Sequence, residues 1–256
     1  MSDAHPTLTG TYAGWADRLA AFLAADARQS GADFGYANLA VRGRLLHDIA
    51  GAQVDQALAL RPDLVSIVGG SNDILRPKAD VDALATRLEA AVARLRAGGA
   101  DVLMATPVDP RDAPLVRRIR GRSAVYTAAI WSIAARQGAY VIDQWGMTAL
   151  RDWRLWAPDR IHLTAEGHRR VALNALTTLG RPGLGGSAAV HGAADEDADW
   201  ATPLPPADRL RRRDALRADA RWAREFFAPW VQRRLQGRSS GDGLRAKRPA
   251  VTPYEP

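Results

Sequence analysis

The sequence predicts an α/β protein built on a parallel sheet, and three observations predict it. Short apolar runs with the character of buried strands alternate with longer segments of helical periodicity. The helical connections are long enough for right-handed βαβ crossovers. Loops rich in Gly, Asn and Asp sit just past the strand runs, where ligands bind in open parallel sheets.

The elements follow in order. From Tyr12 to Arg28, Trp15, Leu19, Phe22 and Leu23 recur at i, i+4, i+7 and i+8, with charges on the opposite face, which is an amphipathic helix. After Ser30-Gly31, residues 33–39 are strand-like. Residues 44–60 read as a second helix ended by Arg61-Pro62. Leu64 to Val68 is a buried strand. Residues 81–97 form a strongly periodic helix closed by Gly98-Gly99, and residues 101–106 form a strand ended by Pro107. A helix over 118–137, a short strand over 139–143 and a closing helix over 164–179, capped by Thr164, complete the alternation.

Three regions result: a domain over 1–180, a Gly-, Pro- and Asp-rich linker over 181–206, and an Arg-rich extension over 207–256. The extension is expected to be helical over 209–235 and disordered beyond. The net charge of +7 invites a nucleic-acid reading, but residues 207–248 alone carry 13 Arg and Lys against 5 Asp and Glu, so the remainder is close to neutral. For this extension the simpler expectation is an amphipathic helix whose apolar residues, Leu210, Leu216, Trp222, Phe226, Phe227 and Trp230, pack back on the domain with the arginines solvated. Contact with nucleic acid or an anionic membrane is the weighed alternative. No run of some 18 to 20 apolar residues and no signal-peptide pattern is present, so a cytoplasmic location is expected. With no cysteine and no His-Glu-x-x-His spacing, neither a thiol nucleophile nor a metal or other cofactor is expected.

Three loops contain residues suited to chemistry. Gly43 ends Asn-Leu-Ala-Val-Arg-Gly past the first strand, where its backbone N–H can approach a ligand oxygen; a glycine needed only for the turn is the competing reading. Asn72, in Gly69-Gly70-Ser71-Asn72-Asp73, can donate to a developing oxyanion, an interaction worth about 3 to 4 kcal/mol in acyl transfer, or can merely cap the next turn. Asp159 and His162 can meet across one loop turn, the arrangement a serine's general base needs, or can be an acidic helix-entry residue beside a surface histidine. His162 is preferred because His168 lies inside the closing helix, and His5, His47 and His191 have no comparable carboxylate context.

In this order the loops resemble the SGNH (GDSL-like) hydrolase pattern over about residues 12–180, with Gly43, the Gly70-Ser71-Asn72-Asp73 run and the Asp159-Arg160-Ile161-His162 run as its second, third and fifth blocks. The resemblance implies a flavodoxin-like three-layer fold and hydrolysis of a small-molecule ester. It makes Gly43 and Asn72 the oxyanion hole, His162 the base and Asp159 its orienting partner.

The family's first block, Gly-Asp-Ser after an apolar strand, does not occur. The nucleophilic serine is therefore missing, since Ser2 has no strand before it and Ser71 belongs to the Asn72 loop. In the flavodoxin-like order the first strand is interior, so its loss leaves a gap on the order of 9 to 10 Å between the runs at 33–39 and 64–68. The expectation is that Met1 is internal and that about 10 to 20 upstream residues supply strand and serine. A non-catalytic module binding an acyl group or a glycan is the alternative.

Overall fold

The computed structural model describes residues 13–113, 116–181, 200–206, 212–236 and 241–254. Its centre is a parallel sheet of three strands, β2 (Leu64–Ile67), β3 (Asp101–Ala105) and β4 (Tyr140–Ile142), in the order β2-β3-β4. Leu64 pairs with Asp101, and Met104 with Val141. Each crossover is a helix: α5 (Val81–Ala97) links β2 to β3, and α6 (Arg120–Gln137) links β3 to β4.

Strand periodicity divides the apolar residues between two cores. Leu103, Ala105 and Ile142 face one side, where α1 (Trp15–Gln29) and α7 (Ala165–Thr178) cover them through Trp15, Leu19, Val171 and Leu176. Val102, Met104 and Val141 face the other side, covered by Leu88, Val92 and Leu95 of α5 and Tyr126, Ile130 and Ile133 of α6. The result is three layers, helices on both faces of a parallel sheet.

Local chemistry sets the helix ends. At α1 the Asp17 carboxylate reaches back to accept the Gly14 N–H at 2.9 Å, so a glycine serves as N-cap because the third helical residue supplies the acceptor. Asp80 caps α5 by accepting from the Ala83 N–H at 3.0 Å, and Gly138, at φ +62°, ends α6 in the left-handed conformation. The single helix expected over 44–60 is instead two, α2 (Leu46–Asp48) and α3 (Val54–Ala59), joined by a wide turn with non-helical backbone at Gly51 (φ −94°, ψ −106°). Apolar periodicity continues through that kink, which is why the sequence reads as one helix.

The strand β1 (Gly35–Asn38) does not join β2. Its partner is β5 (Arg248–Pro253), antiparallel, with Tyr36 opposite Thr252. The expectation of a disordered C-terminal end is thus corrected at residues 248–253. Buried Asp17 is the knot. It accepts from the Tyr36 hydroxyl (3.2 Å), Asn38 Nδ2 (3.2 Å) and Lys247 Nζ (3.2 Å), while the Tyr254 hydroxyl donates to its backbone carbonyl at 2.9 Å. Among the described residues, β2 has β3 on one side and no strand on the other, and Ser66 in mid-strand is exposed.

Most of the linker expected over 181–206 lies outside the described residues. Its described end wraps the domain: Trp200 and Leu204 pack on the first core, and the Pro205 carbonyl accepts from Arg154 Nη2 at 2.7 Å. The extension forms α8 (Arg212–Trp222) and α9 (Ala228–Leu235), joined by one wide helical turn. Leu210 and the Trp230 side chain lie outside the described residues.

Candidate active site

The loop before α7 is closed on itself before any function is considered. Ala157 N–H donates to the His162 carbonyl (2.7 Å), Arg160 N–H to the Ala157 carbonyl (2.8 Å), and Thr164 N–H to the Leu155 carbonyl (2.9 Å). Thr164 then caps α7 by accepting from Gly167 N–H, and Gly167 is required there because a Cβ would lie 2.5 Å from the Leu155 carbonyl oxygen.

Asp159 sits at the centre of this turn. One carboxylate oxygen accepts from the backbone N–H groups of Ile161 and His162, both at 3.0 Å, and the other meets His162 Nδ1 at 2.5 Å. Burial pushes the Asp159 carboxyl up, but these bonds outweigh it and hold the group below its ordinary value. An ionised carboxylate on Nδ1 selects the tautomer with its proton there, leaving Nε2 as a base. The two side chains are each about one quarter exposed, so the ring is held yet reachable.

The second group of residues follows β2. Gly70 has φ +94°, and a Cβ there would lie 2.5 to 2.7 Å from the Tyr126 hydroxyl and ring. Both facts demand glycine. The tight turn starts α4 (Ser71–Ile74), and Asn72, second in that turn rather than its cap, donates from Nδ2 to the Arg44 carbonyl at 3.0 Å. Asp73 accepts from Leu46 N–H at 3.0 Å. These bonds bring the Gly43 loop and the Asn72 loop together, with Gly43 itself at φ +76°. Both the Asn72 loop and the Asp159–His162 loop follow the carboxyl ends of parallel strands, the edge at which ligands bind in such sheets.

The other histidines are placed as follows. His168 is fully buried and accepts the Trp15 N–H at Nδ1 (3.2 Å), tying α7 to α1. His47 has a carboxylate after all, Asp48 at 3.0 Å from Nε2, which corrects the expectation that it lacks one; its side chain is 57% exposed. His5 and His191 lie outside the described residues, as does Ser2.

The profile of the GDSL-like lipase/acylhydrolase family matches residues 3–170. The chain belongs to that family. Its members are hydrolases acting on ester bonds, so this GDSL-like chain is one by descent. No curated protein matches it in sequence at a significant level. Solved structures share its fold. TesA is 22% identical, with 70% of this chain and 94% of TesA covered and a TM-score of 0.54. LAE5, an α/β hydrolase from the metagenome of Lake Arreo, Spain, is 21% identical, with 65% and 81% covered and a TM-score of 0.52. Axe2, an acetylxylan esterase from Geobacillus stearothermophilus, is 18% identical, with 70% and 88% covered and a TM-score of 0.51.

Two features of this GDSL-like chain escaped the sequence. Asp109, after β3, is buried between Arg120, which pairs with it in two-point fashion at 2.7 and 3.0 Å, and Arg151 at 3.0 Å. Arg120 also lies 5.4 Å over the Trp145 ring. The partners are 11 and 42 residues away, so no spacing rule could pair them. The second is the contact of α8 with the Asp159 loop, where Trp222 and Arg160 meet. No helix among the described residues is long and apolar enough to cross a membrane.

Proposed function

We propose that this GDSL-like chain is the base and oxyanion-hole portion of a serine esterase for small-molecule esters, and that its nucleophile is a Gly-Asp-Ser serine carried by a segment outside residues 1–256. The observation that carries this reading is the Asp159–His162 pair, with Nδ1 engaged and Nε2 left as proton acceptor. In the reaction, His162 Nε2 takes the proton from the serine hydroxyl as its oxygen attacks the ester carbonyl. Gly43 N–H and the Asn72 amide are assigned to stabilise the resulting oxyanion. The proton then passes from His162 to the leaving alcohol, and water, activated by the same ring, releases the acid and restores the serine.

The side of β2 that carries no strand among the described residues supports the same reading, because a parallel strand seated there would place its carboxyl end beside the Asn72 loop. Hydrolysis of p-nitrophenyl acetate tests the proposal. Residues 1–256 should hydrolyse it no faster than their Asn72→Ala/His162→Ala variant, whereas a chain extended upstream through Gly-Asp-Ser should be active and lose that activity on His162→Ala. Equal activity of the two lengths would place the nucleophile inside residues 1–256. Saturable ester binding without turnover by both lengths would favour a non-catalytic module.

A further inference from the structure

We infer that the C-terminal helix α8 is a positioning element for the catalytic loop, and that Trp222 is its latch. The inference rests on the esterase reading only in what it says about rate; the structural claim stands on α8 and the loop themselves.

Arg160 lies between Asp159 and His162 in sequence and has φ +56°, a left-handed conformation that a residue with a long side chain rarely adopts. Something must hold it there. Rotation of the 159–160 peptide unit changes ψ of Asp159 and φ of Arg160 together, so a flip of this one unit relieves the strain while leaving the flanking chain in place. That flip would also break the bond from the Arg160 N–H to the Ala157 carbonyl, one of those that close the turn in which the Ile161 and His162 amides meet the Asp159 carboxylate.

Both ends of the 159–160 peptide are pinned. Its N–H donates to the Ala157 carbonyl at 2.8 Å, within the loop. Its carbonyl accepts from Trp222 Nε1 at 2.9 Å, a bond 63 residues distant in sequence. The Arg160 side chain is fixed by the same helix. Its guanidinium lies 5.2 Å from the Trp222 ring and 5.5 Å from the Trp153 ring, and pairs with Asp219 at 2.8 Å. Trp222 is itself held by stacking on Phe227 at 5.7 Å. Trp153, Arg160 and Trp222 line one cleft of about 740 Å³ between the 153–160 loop and α8, so the latch spans the seam where the extension docks.

Hydrogen exchange of residues 1–256 reads the latch without needing turnover. Trp222→Phe keeps an aromatic ring and removes the N–H. It should speed exchange of the Ile161 and His162 amides about tenfold, while the β3 amides of Val102 to Met104 keep their protection. Asp219→Asn, which leaves Trp222 in place, should give a smaller rise at the same two amides. In the upstream-extended chain, Trp222→Phe should lower kcat for p-nitrophenyl acetate about tenfold with KM within twofold. No change at Ile161 and His162, or an equal rise across β3, overturns the inference. Absence of turnover in the extended wild-type chain would instead sink the esterase reading and leave the exchange result to decide the latch.

Discussion

Asp159 carries opposed influences: burial raises its carboxyl, and His162 together with two backbone amides lowers it further than burial can raise it. The lowered value favours the ionised carboxylate, the form that can hold an imidazole and stabilise an imidazolium in the proposed role. Asp159→Asn preserves the shape but offers the ring an amide. In the upstream-extended chain it should reduce kcat by about 10²- to 10⁴-fold with little change in KM, measured on p-nitrophenyl acetate. Asp109 has a different role. Its side chain is only 1% exposed and holds Arg120 and Arg151 together, so Asp109→Asn should cost about 2 to 4 kcal/mol in urea unfolding. The Asp159–His162 pair was legible because its members are three residues apart and one loop turn joins them. Gly43 and Asn72 were legible as types of residue suited to an oxyanion hole, but their mutual approach through the Arg44 carbonyl was not. The roles of Asp109 and Arg160 were not legible, and Trp222 was legible only as an apolar residue of the extension expected to pack back on the domain, since the partners of each are brought together only by the folded chain.

The same division by range of interaction appears among the elements. The helix over 81–97 is where periodicity and the Gly98-Gly99 stop place it, and Thr164 caps α7 as its position before the apolar run implies. These signals are local and survive folding. The kink at Gly51 and the strand at 248–253 are not local, the first hidden by continued periodicity and the second defined by pairing with β1 across some two hundred residues. The turn after β2 shows how one residue sets an element. Gly70→Ala adds a Cβ at φ +94° against the Tyr126 ring, and should destabilise the protein by about 2 to 4 kcal/mol by denaturant midpoint. Removing the Tyr126 hydroxyl should not rescue it, because the ring carbons lie as close as the oxygen.

Across the whole molecule, three buried or half-buried carboxylates, Asp17 and Asp109, which join distant elements, and Asp159, which closes its own loop, are all held below the ordinary aspartate value. For each, the unfolded chain, with a value near 3.9, binds protons before the folded one does. The stability they supply is therefore complete above about pH 4 to 5 and is lost as pH falls through their folded values. Acid unfolding of residues 1–256, followed by circular dichroism, should begin in that window, and Asp17→Asn should be less stable at pH 7 but lose less on acidification. The three-layer fold was legible from the alternation of strands and helices, whereas the pairing of β1 with β5 was not. That leaves one side of β2 without a strand among the described residues, the side on which the proposal seats a strand bearing the nucleophile. Labelling of the upstream-extended chain with a fluorophosphonate, followed by mass mapping of its peptides, finds the nucleophile directly. The expected result is a single adduct on the serine of an upstream Gly-Asp-Ser, lost on His162→Ala and not formed by residues 1–256 alone; an adduct on Ser71 or any other serine within residues 1–256 contradicts it.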